Sequence, residues 1–66
     1  MDIVVNGEST SVPEGCTLAG LLQILQIDPS RVAVELDREI VKAHLWPETV
    51  LQPGSAVEIV MFVGGG

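Results

Sequence analysis

Cysteine, histidine and basic residues are scarce in this sequence. Its 66 residues include one Cys, one His and three Lys or Arg. A single cysteine excludes an intramolecular disulfide framework, and one Cys with one His lacks the ligand spacing of a structural zinc site. A Ser-His-Asp arrangement is not credible with a single His and no independent cleft. We therefore expect neither a metal site nor a catalytic centre in the chain itself.

Long apolar runs and positively charged patches are also missing. No segment approaches the roughly 18 consecutive apolar residues of a membrane span, and no basic segment leads into an apolar one as in a secretory signal. The formal net charge is −6 and the pI is about 4.2, so nucleic acid would be repelled. A single cysteine suits a reducing cytoplasm. We therefore expect a cytoplasmic protein that binds neither membrane nor nucleic acid.

What the chain does have is a folded composition. Its hydrophobic fraction is 47%, and its length suits one domain near the lower limit for folding without disulfides or metal. Apolar periodicity and turn signals predict strands over residues 1–5, 8–12, 31–36, 39–41 and 57–63, a helix over residues 17–26, and a short 3₁₀ turn within residues 42–49.

Local signals set these boundaries. Asn6-Gly7 is a strong type I′ hairpin signal, and Asp37-Arg38 is a plausible second tight turn. Thr17 is a good N-cap for the helix, and Asp28-Pro29 is expected to end it. Gly20 within the helix indicates either close packing on the sheet or mere tolerance.

The first and last strands are the most apolar, which places both in the centre of the sheet. They would lie side by side and parallel, with the helix in the crossover between them. This is an α+β, β-grasp (ubiquitin-like) fold, with a mixed sheet of four to five strands covered by one helix. We expect a β-grasp domain over residues 1–63 and a flexible glycine tail over residues 64–66.

The tail consists of Gly64, Gly65 and Gly66, and it follows an apolar strand directly. Three residues without side chains would carry a terminal carboxylate about 10 Å beyond the last packed residue. Chain ends are often idle, so the tail by itself supports a used and an unused terminus about equally.

Several segments in order resemble the ThiS family of thiamine-biosynthesis sulfur carriers. They are Ile3-Val4-Val5-Asn6-Gly7-Glu8, the Thr17-Leu18 helix start, the strand around Val32-Ala33-Val34-Glu35, and Val57-Glu58-Ile59-Val60 through Phe62-Val63 to the three glycines. The resemblance covers the whole chain. Cys16 and Trp46 are the two residues that we cannot match to the family pattern.

The resemblance implies a protein co-substrate, which is not itself an enzyme. The Gly66 carboxylate would be adenylated by an E1-like activating enzyme, converted to a thiocarboxylate, and used by thiazole synthase. A cysteine desulfurase or another donor would supply the sulfur. ATP and Mg²⁺ would be bound by the activating partner, because this chain lacks a phosphate-binding glycine loop before a helix.

Three other functions stay open at this stage. The activated Gly66 could be joined to lysines, as in a ubiquitin-like covalent modifier. The chain could carry sulfur in another pathway, such as molybdopterin synthesis or tRNA thiolation. It could also be a plain interaction module with an idle tail.

Strand parity predicts a docking surface beside the tail. Val57, Ile59, Met61 and Val63 would face the core, while Glu58, Val60 and Phe62 would face solvent. With the first strand as neighbour, Val4, Val60 and Phe62 would form one exposed apolar patch rimmed by acids, which we call the docking surface. The alternative is that Phe62 folds over the sheet edge into the core.

Two further positions allow contrasting interpretations. Cys16 precedes the helix, whose dipole could lower the thiol pKa and activate it for persulfide or acyl-disulfide chemistry; inert packing is the alternative. His44 and Trp46 could mark a docking site, or Trp46 could cover the small core while His44 is solvated.

Overall fold

A computed structural model describes residues 1–63 of the chain. Its strands are β1 (Asp2–Val5), β2 (Glu8–Ser11), β3 (Val32–Leu36), β4 (Glu39–Val41) and β5 (Ala56–Met61). One helix, α1 (Leu18–Ile24), and two 3₁₀ turns, Pro29–Arg31 and Ala43–Glu48, complete the structure. No helix among residues 1–63 is long and apolar enough to span a bilayer.

The five strands form one mixed sheet in the order β2-β1-β5-β3-β4. β1 and β5 are parallel neighbours, and the other three pairings are antiparallel. The β-grasp prediction is confirmed, including the parallel pair of first and last strands inside the sheet. β5 is the central strand, so the segment that leads to the glycine tail lies in the middle of the fold.

Both hairpins turn through two residues in the left-handed region. Asn6 and Gly7 have φ of 48° and 81°, and Asp37 and Arg38 have φ of 49° and 72°. These are the signs that a type I′ turn requires, and its twist matches that of the flanking strands. The predicted positions of both turns are confirmed.

The N-terminus of α1 is as predicted, but its C-terminus is not. The Thr17 hydroxyl accepts a hydrogen bond from the Gly20 amide at 3.0 Å, which makes Thr17 the N-cap. The helix ends at Ile24 and does not reach residue 26, because Gln26 adopts a left-handed φ of 57°. The chain has thus left the helix before Pro29, which begins a 3₁₀ turn.

The core lies between α1 and the inner face of the sheet. Its buried apolar residues come from every layer of the fold: Ile3, Val12, Leu18, Leu21, Leu22, Val32, Val34, Trp46, Leu51, Val57 and Ile59. Val57 and Ile59 are buried, as strand parity predicts. We call the opposite face of the sheet, which points away from α1, the outer face.

The last strand ends at Met61 and not at residue 63, and two residues of the predicted strand do not face the core. Met61 and Val63 were expected to face the core, but they are 61% and 97% exposed. α1 has seven residues and spans about 10 Å. The six residues of β5 span about 20 Å, so the helix covers only part of the strand. The end of β5 therefore extends beyond the core.

Candidate functional site

The C-terminal end of β5 is paired on one side only. On one side, β3 pairs with β5 as far as Val32 opposite Met61, and the Phe62 amide donates to the Arg31 carbonyl at 2.8 Å. On the other side, β1 pairs with β5 only at Val4 opposite Ala56 and at Val5 opposite Val57. The strand is therefore held from both sides where it begins and mainly by β3 where it ends.

On the β1 side of β5, the Asn6 side chain adds hydrogen bonds beyond the last backbone pair. Its Oδ1 accepts a hydrogen bond from the Ile59 amide at 2.7 Å, and its Nδ2 donates to the Ile59 carbonyl at 3.3 Å. We call this pair of hydrogen bonds the Asn6–Ile59 bridge. Sequence reasoning used Asn6 only as a turn residue, because a contact across 53 positions leaves no local signal.

An uninterrupted run of exposed apolar side chains follows the bridge. Val60 and Phe62 are 56% and 60% exposed, and with Met61 and Val63 they make four consecutive exposed apolar residues. Such a run exposed to water is unfavourable unless a function requires it. Phe62 does not fold into the core, so the predicted exposure of Val60 and Phe62 is observed.

Val4 does not join this patch, contrary to the prediction. It is 36% exposed on the outer face, but it lies opposite Ala56, four residues before Val60. At about 3.3 Å per residue, the separation along the strand is about 13 Å. Asn6 and Glu58 lie between them. The predicted docking surface is therefore divided into a part next to the tail and a separate Val4.

Two acids lie close to Val60 on the outer face. Glu35 of β3 and Glu58 of β5 are directly opposite each other, two residues along each strand from the pair formed by Ala33 and Val60. Among residues 1–63 the only ion pair is between Arg31 and Asp28, at 3.5 Å. The two carboxylates thus have no basic partner within the part of the chain that the structure describes.

The three glycines of the tail lie outside the described residues. The roles predicted for Gly66 as the modified residue, and for Gly64 and Gly65 as a narrow connection to it, therefore stay predictions. The structure does describe the strand that leads to them, as far as Val63.

Comparison with known proteins identifies the family. A family model described as the ThiS family matches residues 2–66. The chain belongs to the ThiS family. Its structure is similar to the crystal structure of the thiamine biosynthesis protein ThiS from Geobacter metallireducens, with 33% sequence identity, complete coverage of both chains and a TM-score of 0.87. An NMR solution structure of a thiamine biosynthesis protein from the same organism gives a TM-score of 0.82.

Two curated relatives of this ThiS-family chain are much longer. It is 41% identical to a thiazole synthase of Magnetococcus marinus and 38% identical to one of Paramagnetospirillum magneticum, and in each case it spans 20% of the relative's length. A protein of matching size, ycf40 of Porphyra purpurea, is 32% identical to the chain over 93% of its own length.

Cys16 of this ThiS-family chain is a packing residue. It is half-buried against the core, its Sγ lies 3.4 Å from the Thr17 carbonyl oxygen, and burial raises the pKa of the thiol. This direction is opposite to the lowered pKa that the helix-dipole hypothesis predicted, and it agrees with the packing interpretation.

Trp46 covers the core, which agrees with the packing interpretation and not with a docking role for this side chain. Its side chain is 5% exposed, and its Nε1 donates to the Val41 carbonyl at 2.9 Å. His44 in the same 3₁₀ turn is exposed.

A groove of about 420 Å³, lined mainly by apolar residues such as Leu22 and Trp46, lies between α1 and the two 3₁₀ turns. Residues 1–63 contain no group of three or more metal-ligating side chains.

Proposed function

We propose that this chain is the sulfur carrier for synthesis of the thiazole moiety of thiamine, and that the Gly66 carboxylate is the group that carries sulfur. Membership of the ThiS family supports the role in thiamine synthesis. One observation supports the proposed role of Gly66. The central strand, β5, is followed by exposed apolar residues and then by three glycines.

The chemistry requires activation, because a free carboxylate has a poor leaving group. A carboxylate oxygen of Gly66 attacks the α-phosphorus of ATP on an E1-like enzyme, and pyrophosphate leaves. The terminal sulfur of a protein persulfide, supplied by a cysteine desulfurase or another donor, then displaces AMP. A thiol reduces the resulting S–S bond and releases the thiocarboxylate. The acyl adenylate is water-labile, so the terminus must react inside a cleft that excludes water.

The glycines suit this requirement. A side chain at Gly64 or Gly65 would widen the segment that enters the cleft, whereas bare backbone is the narrowest form a polypeptide takes. ATP and Mg²⁺ are bound by the activating enzyme in this proposal, and the carrier contributes only its terminus and a surface for docking.

The outer face beside the tail is the proposed docking surface. Val60 and Phe62 supply apolar area in the residues just before the tail, and Val4 lies apart from them. Glu35 and Glu58 favour a partner that presents a basic side chain opposite them. Because the patch immediately precedes the tail in the sequence, docking there would bring Gly66 towards the partner's active site.

Thiazole synthase is the proposed acceptor of the sulfur. Two relatives named thiazole synthase contain a segment similar to the whole of this chain within a longer protein. Two activities joined in one polypeptide commonly act in succession, which supports transfer of the thiocarboxylate sulfur from Gly66 to such an enzyme.

The test is a reaction with the E1-like enzyme, ATP, Mg²⁺ and a persulfide donor, followed by intact-mass measurement. We expect a mass gain equal to the exchange of one oxygen for sulfur, located in the C-terminal peptide. A matched control carries one extra residue after Gly66, which moves the carboxylate out of position, and it should gain nothing. Equal reaction of the extended chain would contradict the proposal, and adducts with lysines of other proteins would indicate a modifier.

A further inference from the structure

We infer that Asn6 is a positioning residue for the reaction at Gly66, acting through the Asn6–Ile59 bridge. The inference rests on the proposed function for its catalytic consequence. The bridge holds Ile59, the last residue of β5 that is hydrogen-bonded on the β1 side, two residues before the strand ends at Met61.

The argument starts from the direction of the backbone groups of β5. The Asn6 amide donates to the Val57 carbonyl at 2.8 Å, so Val57 directs its polar groups towards β1. Backbone groups alternate along a strand, and the next residue that faces this side is Ile59. β1 has already turned away at Asn6-Gly7. The side-chain amide of Asn6 supplies the donor and the acceptor that the missing strand would have supplied.

An asparagine is specifically suited to this position. The bridge needs one donor and one acceptor on the same short side chain, which an amide provides and a carboxylate does not. The position also needs a positive φ, 48° here, which Asn tolerates better than most residues. A Gly at position 6 would keep the turn and lose the bridge. An Asp would keep the acceptor for the Ile59 amide and lose the donor to the Ile59 carbonyl.

Loss of the bridge changes how the end of the strand is supported. The last step held from both sides would move back from Ile59 to Val57, where Asn6 still contributes its backbone amide. From there to Phe62, β5 would be held by β3 alone. A longer singly paired segment gives the terminus a wider range of directions, which lowers the fraction in reactive geometry.

The other hairpin provides a matched control. Asp37 is the first residue of the second turn, with φ of 49°, and its Oδ1 accepts a hydrogen bond from the Ala56 amide at 2.9 Å. Ala56 begins β5, at the end far from the tail. Asp37→Gly and Asn6→Gly therefore each remove a side-chain contact between an equivalent turn and the same strand, the former at Ala56, where β5 begins, and the latter at Ile59, closer to the tail.

Two measurements test the inference. The first is hydrogen exchange of the Phe62 amide, which bonds to Arg31 and does not contact Asn6. It should speed up in Asn6→Gly and stay unchanged in Asp37→Gly, relative to amides of α1. The second is steady-state thiocarboxylate formation with the activating enzyme. Asn6→Gly should lower kcat about tenfold or more with a much smaller change in KM, since Glu58, Val60 and Phe62 are unchanged, and the kcat of Asn6→Asp should fall between those of Asn6→Gly and the wild type.

The outcomes separate the two proposals. Equal effects of Asn6→Gly and Asp37→Gly, unchanged Phe62 exchange in Asn6→Gly, or a rise in KM at constant kcat would each overturn the positioning role. Failure of the wild-type chain to form a thiocarboxylate would overturn the proposed function instead. The exchange measurement needs no partner, so it still decides whether the Asn6–Ile59 bridge controls the end of β5.

Discussion

Glu35 and Glu58 lie directly opposite each other on neighbouring strands, on the outer face of the sheet. Like charges in such a cross-strand pair destabilise a sheet, typically by a few tenths of a kcal/mol up to about 1 kcal/mol. Arg31 pairs with Asp28, and no ion pair within residues 1–63 involves either glutamate. The arrangement costs free energy in the isolated protein, and a basic partner residue would offset it.

Glu58→Gln should therefore have opposite effects on stability and binding. Removing one of two facing charges is expected to leave the free energy of unfolding unchanged or raise it slightly at low salt, while association with the activating enzyme slows. Urea unfolding and stopped-flow association at two ionic strengths measure both quantities. A destabilised variant with unchanged association would contradict this assignment of the outer face.

Local chemistry explains why most of the fold could be predicted from the sequence. The two hairpins follow from Asn6-Gly7 and Asp37-Arg38, and the helix start follows from Thr17, because each signal acts within a few residues. The parallel pairing of first and last strands followed from their apolar character and the crossover through the helix.

The features that sequence reasoning missed depend on distant contacts. The separation of Val4 from Val60 is set by the register of β1 on β5, which no local signal encodes. The exposure of Met61 depends on how far α1 extends, and the helix end depends on a left-handed Gln26 that composition does not indicate. The Asn6–Ile59 bridge is a contact of the same distant kind.

Phe62→Asp should weaken docking strongly without unfolding the protein. Phe62 is 60% exposed, so its replacement removes little buried area, yet it places a charge in the apolar patch beside the tail. Thermal unfolding should be nearly unchanged, and affinity for the activating enzyme should fall at least tenfold. Val4→Asp is the charge-matched control, because Val4 lies about 13 Å away along the strand direction, and it should weaken binding less. A larger effect at Val4 would place the docking surface elsewhere.

Gly20→Ala should stabilise the protein. A Cβ at this position would meet the Thr17 Oγ1 at 3.4 Å and the Cys16 Sγ at 3.5 Å, which are ordinary contacts. Tolerance, and not close packing, therefore explains this glycine. The expected gain is about 0.5–1 kcal/mol in the free energy of unfolding, measured in urea.

A second glycine variant provides the control for Gly20→Ala. Gly54 also has room for a Cβ, but its φ is 81°, so Gly54→Ala should destabilise the protein because of backbone strain. Equal effects of the two substitutions would show that helix propensity does not decide the result at Gly20.

Cys16 should be a slow nucleophile in the folded protein. Burial raises the pKa of its thiol, so the reactive thiolate is scarcer at neutral pH than in the unfolded chain. Alkylation by iodoacetamide at pH 7–8 should be slower than in urea.

The raised pKa of the Cys16 thiol also contributes stability that is present below the ordinary thiol pKa and is lost as pH rises through the folded-state pKa. Cys16→Ser should lack this alkaline loss, and faster alkylation of the folded form would contradict the packing role.

Gly65→Val should block activation while leaving the fold intact. Gly65 lies outside the described residues and beyond the last core residue of β5, Ile59, so substitution there should change the free energy of unfolding by less than about 0.5 kcal/mol. A branched side chain should collide with a cleft that accommodates bare backbone, and adenylation measured by pyrophosphate release should fall steeply. Gly65→Ala and Gly64→Val give a graded series, since a methyl group should cost less than an isopropyl group, and Gly64 lies one residue further from the reacting carboxylate. Adenylation rates that do not depend on the size of the side chain would show that the cleft is wide and that the glycines serve another purpose.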